Sequence, residues 1–506
     1  MGHDIRKGED DVTQDGASPI ATGERPAPDM EPGIPVPPRS GRRRAAWRDD
    51  PLPLSGPSRG GLTLPSYFSD GCVLQQGAPV LLPGRARRKA RVEAWLSTQP
   101  ADEIFARTET RAGPDGRFLL EFPAFDGSAT SCSLTVRSGG ASVRVSDLLF
   151  GEVWVCAGQS NMAMELGETM DGGDLEAQAG RMPIRCFRPA RNGLPARRAA
   201  EYPYEAGDDV AEGAWLRIGY GTGLRTGSAV GCHFARFLQP SVECPVAILD
   251  LALGATHIHA WLPRETIDAE PDIRRHLEAT GNLRDRTTWN LAGDWNCNQP
   301  AALWQSKVAP LRGLAVRGIL WYQGESDLPH PDYYRTALRS LADAFRKAFR
   351  CPGGEPPAFL YSLVAPHIYD LHSRNRLPAF QEALAVVHRE IPGRCGLIAV
   401  HDLSPAWEGA APAARHPIHP AEKKPVGRRF AVLAQGLVYG LKGPAGSPEC
   451  SEAEIIGNKI LVSFDHAGSG LRIREGTSTL RGFAVCGPDR RFVPAQAKLL
   501  YGLRVL

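Results

Sequence analysis

The sequence predicts an α/β protein: a parallel sheet with helices on both faces, flanked by small β-rich modules. From about residue 150 to 442, short apolar runs alternate with amphipathic helical patterns such as Tyr333 to Phe349 and Leu377 to Glu390, and that alternation builds a covered parallel sheet. Within it, Val153 to Val155, Pro245 to Leu251 and Gly318 to Tyr322 are β-branched or aromatic strand candidates that run into glycine and polar groups, where open α/β sheets place their sites. Before it, the short alternating runs Arg91 to Leu96, Arg117 to Phe122 and Ser133 to Val136, separated by Gly, Pro and Asp, read as a small β-sandwich-like unit.

The modules follow in order. Residues 1–60 hold ten prolines and few large apolar groups; they bury too little surface to offset the entropy of ordering and read as a disordered tail. Residues 61–149 form the N-terminal β unit and 150–442 the α/β unit. After the turn-rich Gly443-Pro-Ala-Gly446, residues 443–506 return to β character at Ile460 to Phe464 and Phe483 to Cys486. So short a β module leaves unpaired edges. It is expected to borrow pairing from the N-terminal β unit, to form homo-oligomers, or to be marginally stable.

Chemistry concentrates at the strand ends. In Gly151 to Glu165, GEVWVCAGQSNMAME, Gly158 permits a sharp turn that presents Ser160 at the start of a helix, either as a nucleophile or as a helix N-cap. Gly254, at the end of the second strand, allows a backbone N–H to approach a substrate oxygen, or serves as a turn glycine. Gln323 offers an amide and Glu325 a carboxylate after the third. His419, in Ile418-His419-Pro420 before a helix expected over Arg428 to Tyr439, is the candidate general base.

Together, GQSNM at Gly158 to Met162, G-x-T-x-I-x-A-W at Gly254 to Trp261, WYQGES at Trp321 to Ser326 and IHP-x-x-K-x-x-VG at Ile418 to Gly427 resemble the sialate O-acetylesterase family of SGNH-type serine esterases. The similarity extends from about Leu64 to near the C-terminus. It implies an SGNH/flavodoxin-like sheet, and hydrolysis of acetyl esters on sugar hydroxyls through an acetyl-serine, without metal or organic cofactor. Ser160 would be the nucleophile and His419 its base. The Ser160 N–H, the Gly254 N–H and the Gln323 amide would form the oxyanion hole, while Gln159, Asn161, His259 and Trp261 would contact an O-acetylated sugar or glycan. The family commonly has an aspartate shortly before the histidine; here His416 and Pro417 stand in that region. Glu325 is the best substitute for orienting His419, ahead of Asp402 and Glu408. Loss of such an acid can slow a triad by about ten-thousandfold, so a weakly active or noncatalytic sugar-binding relative is the alternative. The family's GGT and the glutamate before Ala-Trp are here Ala255 and His259. His257, His259, His416 and His419 also allow a metal reading, which lacks the usual zinc motifs; polar lining of a sugar pocket is preferred. Trp261, Trp321 and Tyr322 read as core before sugar platforms.

Composition sets the outer bounds. The chain has 506 residues, 42% hydrophobic and 23% charged, with net charge +3, ordinary values for a soluble protein. The basic clusters Arg42 to Arg44 and Arg85 to Arg91 lack interleaved aromatics or a nucleic-acid motif, and no stretch approaches the ~20 apolar residues of a membrane helix. Neither nucleic acid nor membrane is expected as a partner. Eleven cysteines at irregular spacing read as free thiols. The start shows no secretory pattern, which reads literally as cytoplasmic, against the exported or lysosomal setting common in the family.

Overall fold

The computed structural model describes residues 61–170, 172–173, 175, 182–189, 209–210, 213–217, 226–283, 296–365, 367, 376–403, 418–443, 446–468, 470–473, 480–489, 491–500 and 502–506. The expected tail at 1–60, and with it His416, Pro417 and Glu408, lies outside the described residues. No helix among those described is long and apolar enough to cross a membrane. All eleven cysteines are free thiols, nine of them buried.

Strands β1 (Val73–Gln75), β2 (Val80–Arg85), β3 (Arg91–Thr98), β4 (Ile104–Arg111), β5 (Arg117–Phe122) and β6 (Ser128–Ser138) lead into β7, which runs unbroken from Ala141 to Gly158. The first half of β7 pairs antiparallel with β6, and Leu149 to Gly151 pair with β1. Its second half is the centre of another layer. There it lies between β10 (Val246–Asp250) and β11 (Gly318–Tyr322), parallel to both. The boundary expected at residue 149/150 therefore falls inside one continuous strand.

With β8 (Ile184–Arg188), β9 (Ala214–Arg217), β12 (Ala358–Ser362) and β13 (Cys395–Ile398), the central order is β13-β12-β11-β7-β10-β8-β9. All neighbours are parallel except the edge strand β9, which is antiparallel to β8. The helices are α1 (Ser160–Ala163), α2 (Ala229–Val242), α3 (Arg264–Ala269), α4 (Pro271–Ala279), α5 (Pro331–Ala348), α6 (Arg376–Glu390) and α7 (Lys424–Leu437).

Alternation along the strands assigns the helices to faces. Trp321 and Tyr361 are partners in register; Trp321 meets Phe345 of α5 edge-on, and the Tyr361 hydroxyl donates to the Leu384 carbonyl of α6. On the opposite face Cys156, Leu320, Leu360 and Gly396 are aligned across four strands. That face receives α2, whose Gly231 lies against Cys156, and α7, whose Leu433 lies against Gly396. The sheet between is dry: every residue of β10, β11 and β12 is buried.

The C-terminal strands β14 (Glu449–Ile456) and β15 (Lys459–Asp465) form a hairpin extended by Arg504–Val505. Of the three expected outcomes, the borrowing of pairing from the N-terminal strands is not seen: among the described residues the hairpin draws its pairing from its own segment. It touches the α/β layer where His388 and Arg389 of α6 meet Glu449.

Helices α2 and α7 come closest at Gly427. A Cβ there would lie 2.6 Å from His233 Cβ, 2.7 Å from the Phe234 nitrogen and 2.8 Å from the Val230 oxygen. Gly427→Ala must force the helices apart. It should cost about 2 kcal/mol, read as a lower urea midpoint with an unchanged slope.

Candidate functional site

The site forms where β7, β10 and β11 end together. Gly158 has φ +132°, and a side chain there would collide with the Tyr322 carbonyl, 2.2 Å from an added Cβ. Only glycine lets β7 run this close to β11 and turn. The Gln159 N–H then donates to the Tyr322 oxygen at 3.0 Å, and the Gly158 oxygen accepts from Leu253 N–H at 3.0 Å. α1 begins immediately. Its cap is Gln159, whose side chain makes no capping bond, and Ser160 is the first helical residue. The N-cap reading of Ser160 therefore does not hold.

The Ser160 hydroxyl lies 2.8 Å from His419 Nε2. Gly254 packs against the same serine: a Cβ on it would lie 3.6 Å from Ser160 Cβ and 4.0 Å from the Ser160 nitrogen. The N–H groups of Ser160 and Gly254 are given to no acceptor among the described residues. Ser160, His419 and Gly254 are thus brought together.

Gln323 is placed differently from expectation. Its Nε2 donates to the Thr256 carbonyl at 2.9 Å and to Asp327 Oδ2 at 2.7 Å, so both amide hydrogens are engaged. Turning the amide over would set its oxygen against two acceptors. Gln323 braces the 254–258 turn against the loop after β11 and offers no hydrogen to an oxyanion. Gln159 is likewise a brace, its Oε1 accepting the Gly324 and Ser326 N–H groups, both at 3.3 Å.

Glu325 is the main correction. It does not hydrogen-bond His419: its Oε1 accepts from Asn161 Nδ2 at 2.5 Å and its Oε2 has no partner. Burial raises its pKa. Asp402 is engaged by both terminal nitrogens of Arg429, at 2.7 and 2.5 Å. Asn161, expected to contact sugar, is fully buried. Besides Glu325, its Nδ2 donates to the Ile418 carbonyl at 3.0 Å, and its Oδ1 accepts from Lys423 Nζ at 2.6 Å. Lys423 is itself fully buried, which lowers its pKa to about 7.

Trp261 and His259 also lie beneath the surface rather than on it. Trp261 is fully buried, edge-on to Trp321, with its Nε1 donating to Thr256 Oγ1. His259 pairs through Nε2 with the Asn298 carbonyl at 2.8 Å, and burial lowers its pKa to about 4. His257 is half-exposed; its Nδ1 meets Asp327 Oδ1 at 2.9 Å. Burial opposes charge on both partners, yet their contact prevails, raising the His257 pKa and lowering that of Asp327. Among the described residues these three form a group that could hold a metal ion, with ligand atoms within 4.8 Å of one another, but Asp327 is already engaged by His257 and by the Ile258 and Gln323 N–H groups, and His259 by the Asn298 carbonyl. Asp327 and Lys423 are what motif reading missed. Lys423 is the fixed lysine of the IHP-x-x-K-x-x-VG block, to which motif reading assigns no role, while Asp327 stands one residue beyond WYQGES and signals only by its charge.

A solved carbohydrate acetylesterase from Xanthomonas citri shares the fold, superposing with a TM-score of 0.71 at 25% identity over 88% of this chain and 90% of that one. Residues 151–353 match the family described as carbohydrate esterase, sialic acid-specific acetylesterase. Among curated proteins, the sialate O-acetylesterase of Mus musculus is 24% identical over 334 residues, 60% of this chain and 59% of its own length. That of Homo sapiens is 23% identical over 453 residues, 86% of this chain and 82% of its own. Over most of its length the chain is thus similar to the sialate O-acetylesterases.

Ala255 occupies a left-handed conformation, φ +57°, where the family pattern has glycine. An L side chain there costs about 1–2 kcal/mol, partly offset by the greater unfolded-state entropy of glycine. Ala255→Gly should stabilise the protein by about 1 kcal/mol, seen as a higher denaturation midpoint.

Proposed function

We propose that this protein is a carbohydrate O-acetylesterase that removes acetyl groups from sugar hydroxyls through an acetyl-enzyme on Ser160. The 2.8 Å contact between Ser160 Oγ and His419 Nε2 carries the reading. A free alcohol is a poor nucleophile near neutral pH, and an imidazole at hydrogen-bond distance takes its proton as attack begins. The serine oxygen bonds to the acetyl carbonyl carbon, and the N–H groups of Ser160 and Gly254 face the oxygen that becomes negative. His419 returns the proton to the departing sugar oxygen as the ester bond breaks. Water, deprotonated by His419, then attacks the acetyl-serine, releasing acetate and restoring the hydroxyl.

The family names the substrate class, an acetylated sugar, and sialic acid is the first candidate because the relatives are sialate O-acetylesterases. A second reading, a sugar-binding relative with little catalysis, draws on Glu325, which is turned to Asn161 and away from His419. Acetate release from p-nitrophenyl acetate and from an O-acetylated sialic acid separates the two. Ser160→Ala and His419→Ala are each expected to lower kcat/KM by at least about a thousandfold. A folded native chain no faster than either variant would establish the binding protein instead.

A further inference from the structure

Asn161 follows Ser160 directly, and Ile418 directly precedes His419. The Asn161 Nδ2–H to Ile418 carbonyl bond, 3.0 Å, therefore ties the backbone carrying the nucleophile to the backbone carrying the base. Which way the Asn161 amide faces decides whether that tie exists. Its Oδ1 accepts from Lys423 Nζ at 2.6 Å, and an ammonium has no acceptor. The NH2 group is thereby turned to Glu325 Oε1 and the Ile418 oxygen.

We propose that Lys423 is a positioning residue for catalysis, acting through Asn161 to set His419 against Ser160. The proposal rests on the serine-esterase reading. Lys423 precedes α7, is fully buried, and lies 5.8 Å from the Tyr322 ring centre, with Glu325 the carboxylate whose charge favours its own. Without the ammonium, Glu325 is a buried charge with no cation facing it, and takes up a proton. A protonated carboxyl can donate to Asn161 Oδ1, so the amide is free to turn over and release the Ile418 carbonyl. His419 then loses its backbone anchor without any change in the residues that react. Part of the positioning of His419 is thereby carried through the main chain of Ile418.

The test uses the full chain, with acetate release measured against substrate concentration for native protein, Ser160→Ala, Lys423→Met, Lys423→Gln and the double variant Lys423→Met/Glu325→Gln. Folding of each is checked by circular dichroism and thermal melting. Lys423→Met should lower kcat by about 10- to 100-fold while KM stays within about twofold, the signature of lost alignment. Lys423→Gln keeps a donor for Asn161 Oδ1 but not the charge, so it should recover only part of that loss. The double variant removes both buried charges, so it tests alignment even where the single change unfolds the chain; its kcat should be as low as that of Lys423→Met. Native-like kcat in a folded Met or double variant, or a raised KM with kcat unchanged, overturns the positioning role alone. Native protein no faster than Ser160→Ala overturns the esterase reading and this proposal with it.

Discussion

The close approach of β7 to β11 at Gly158 is the constraint on which the site depends. Three strand ends are joined there by main chain alone: Gly158 accepts from Leu253 after β10, and Gln159 donates to Tyr322 of β11. A Cβ at Gly158 would break both contacts at once, because it would stand where the Tyr322 carbonyl already is. Ser160 inherits its place from this junction, as does Gly254. The nucleophile is thus fixed by backbone geometry two residues away.

The same strand is held further back along its length by charge. Glu152, completely buried in the middle of β7, receives Arg317 Nε and Nη2 at 2.7 and 2.8 Å, the Gln76 amide at 2.6 Å and the Tyr439 hydroxyl at 2.9 Å. Burial alone would raise its pKa, but these donors outweigh that and hold the carboxyl below its usual range. A buried ion pair is weak evidence for stability, since desolvation offsets much of the attraction. Its value here is register. Gln76 follows β1, Arg317 precedes β11 and Tyr439 follows α7, so one carboxylate on β7 fixes where three other elements start or stop. A one-residue slip of β7 would invert its faces and carry Ser160 away from the junction.

Much of this was legible in the sequence. The parallel strands, the helices α5 and α6, and the β-rich flanks followed from periodicity, and the motif blocks located Ser160, Gly254 and His419. Less legible was how polar groups share their partners. Gln323 and Glu325 stand at strand ends, as expected, but an amide has only two hydrogens, and Asp327 with Thr256 claims both of those on Gln323. That outcome turns on Asp327, a charge whose burial no sequence pattern shows. Position alone favours core over sugar platform for Trp261 without excluding the platform; full burial and the bond to Thr256 decide for core. The histidines regrouped for a similar reason. His257 and His259 stack on each other at 5.3 Å, and Asp327 and Tyr333, both distant from them in sequence, engage their ring nitrogens.

The site therefore rests on two kinds of support with different sensitivities. The Gly158 junction is made of backbone bonds and sterics, which no protonation changes. The Lys423, Asn161 and Glu325 group is made of buried ionisable side chains, where burial pushes the lysine down and the glutamate up. Each is disfavoured as a lone charge, and each favours the charge of the other. Ser160 hangs on the first support and the segment bearing His419 on the second, with Asn161 as the link between them. Alignment of the nucleophile is then insensitive to protonation, while the tether to its base follows the charge state of a buried pair.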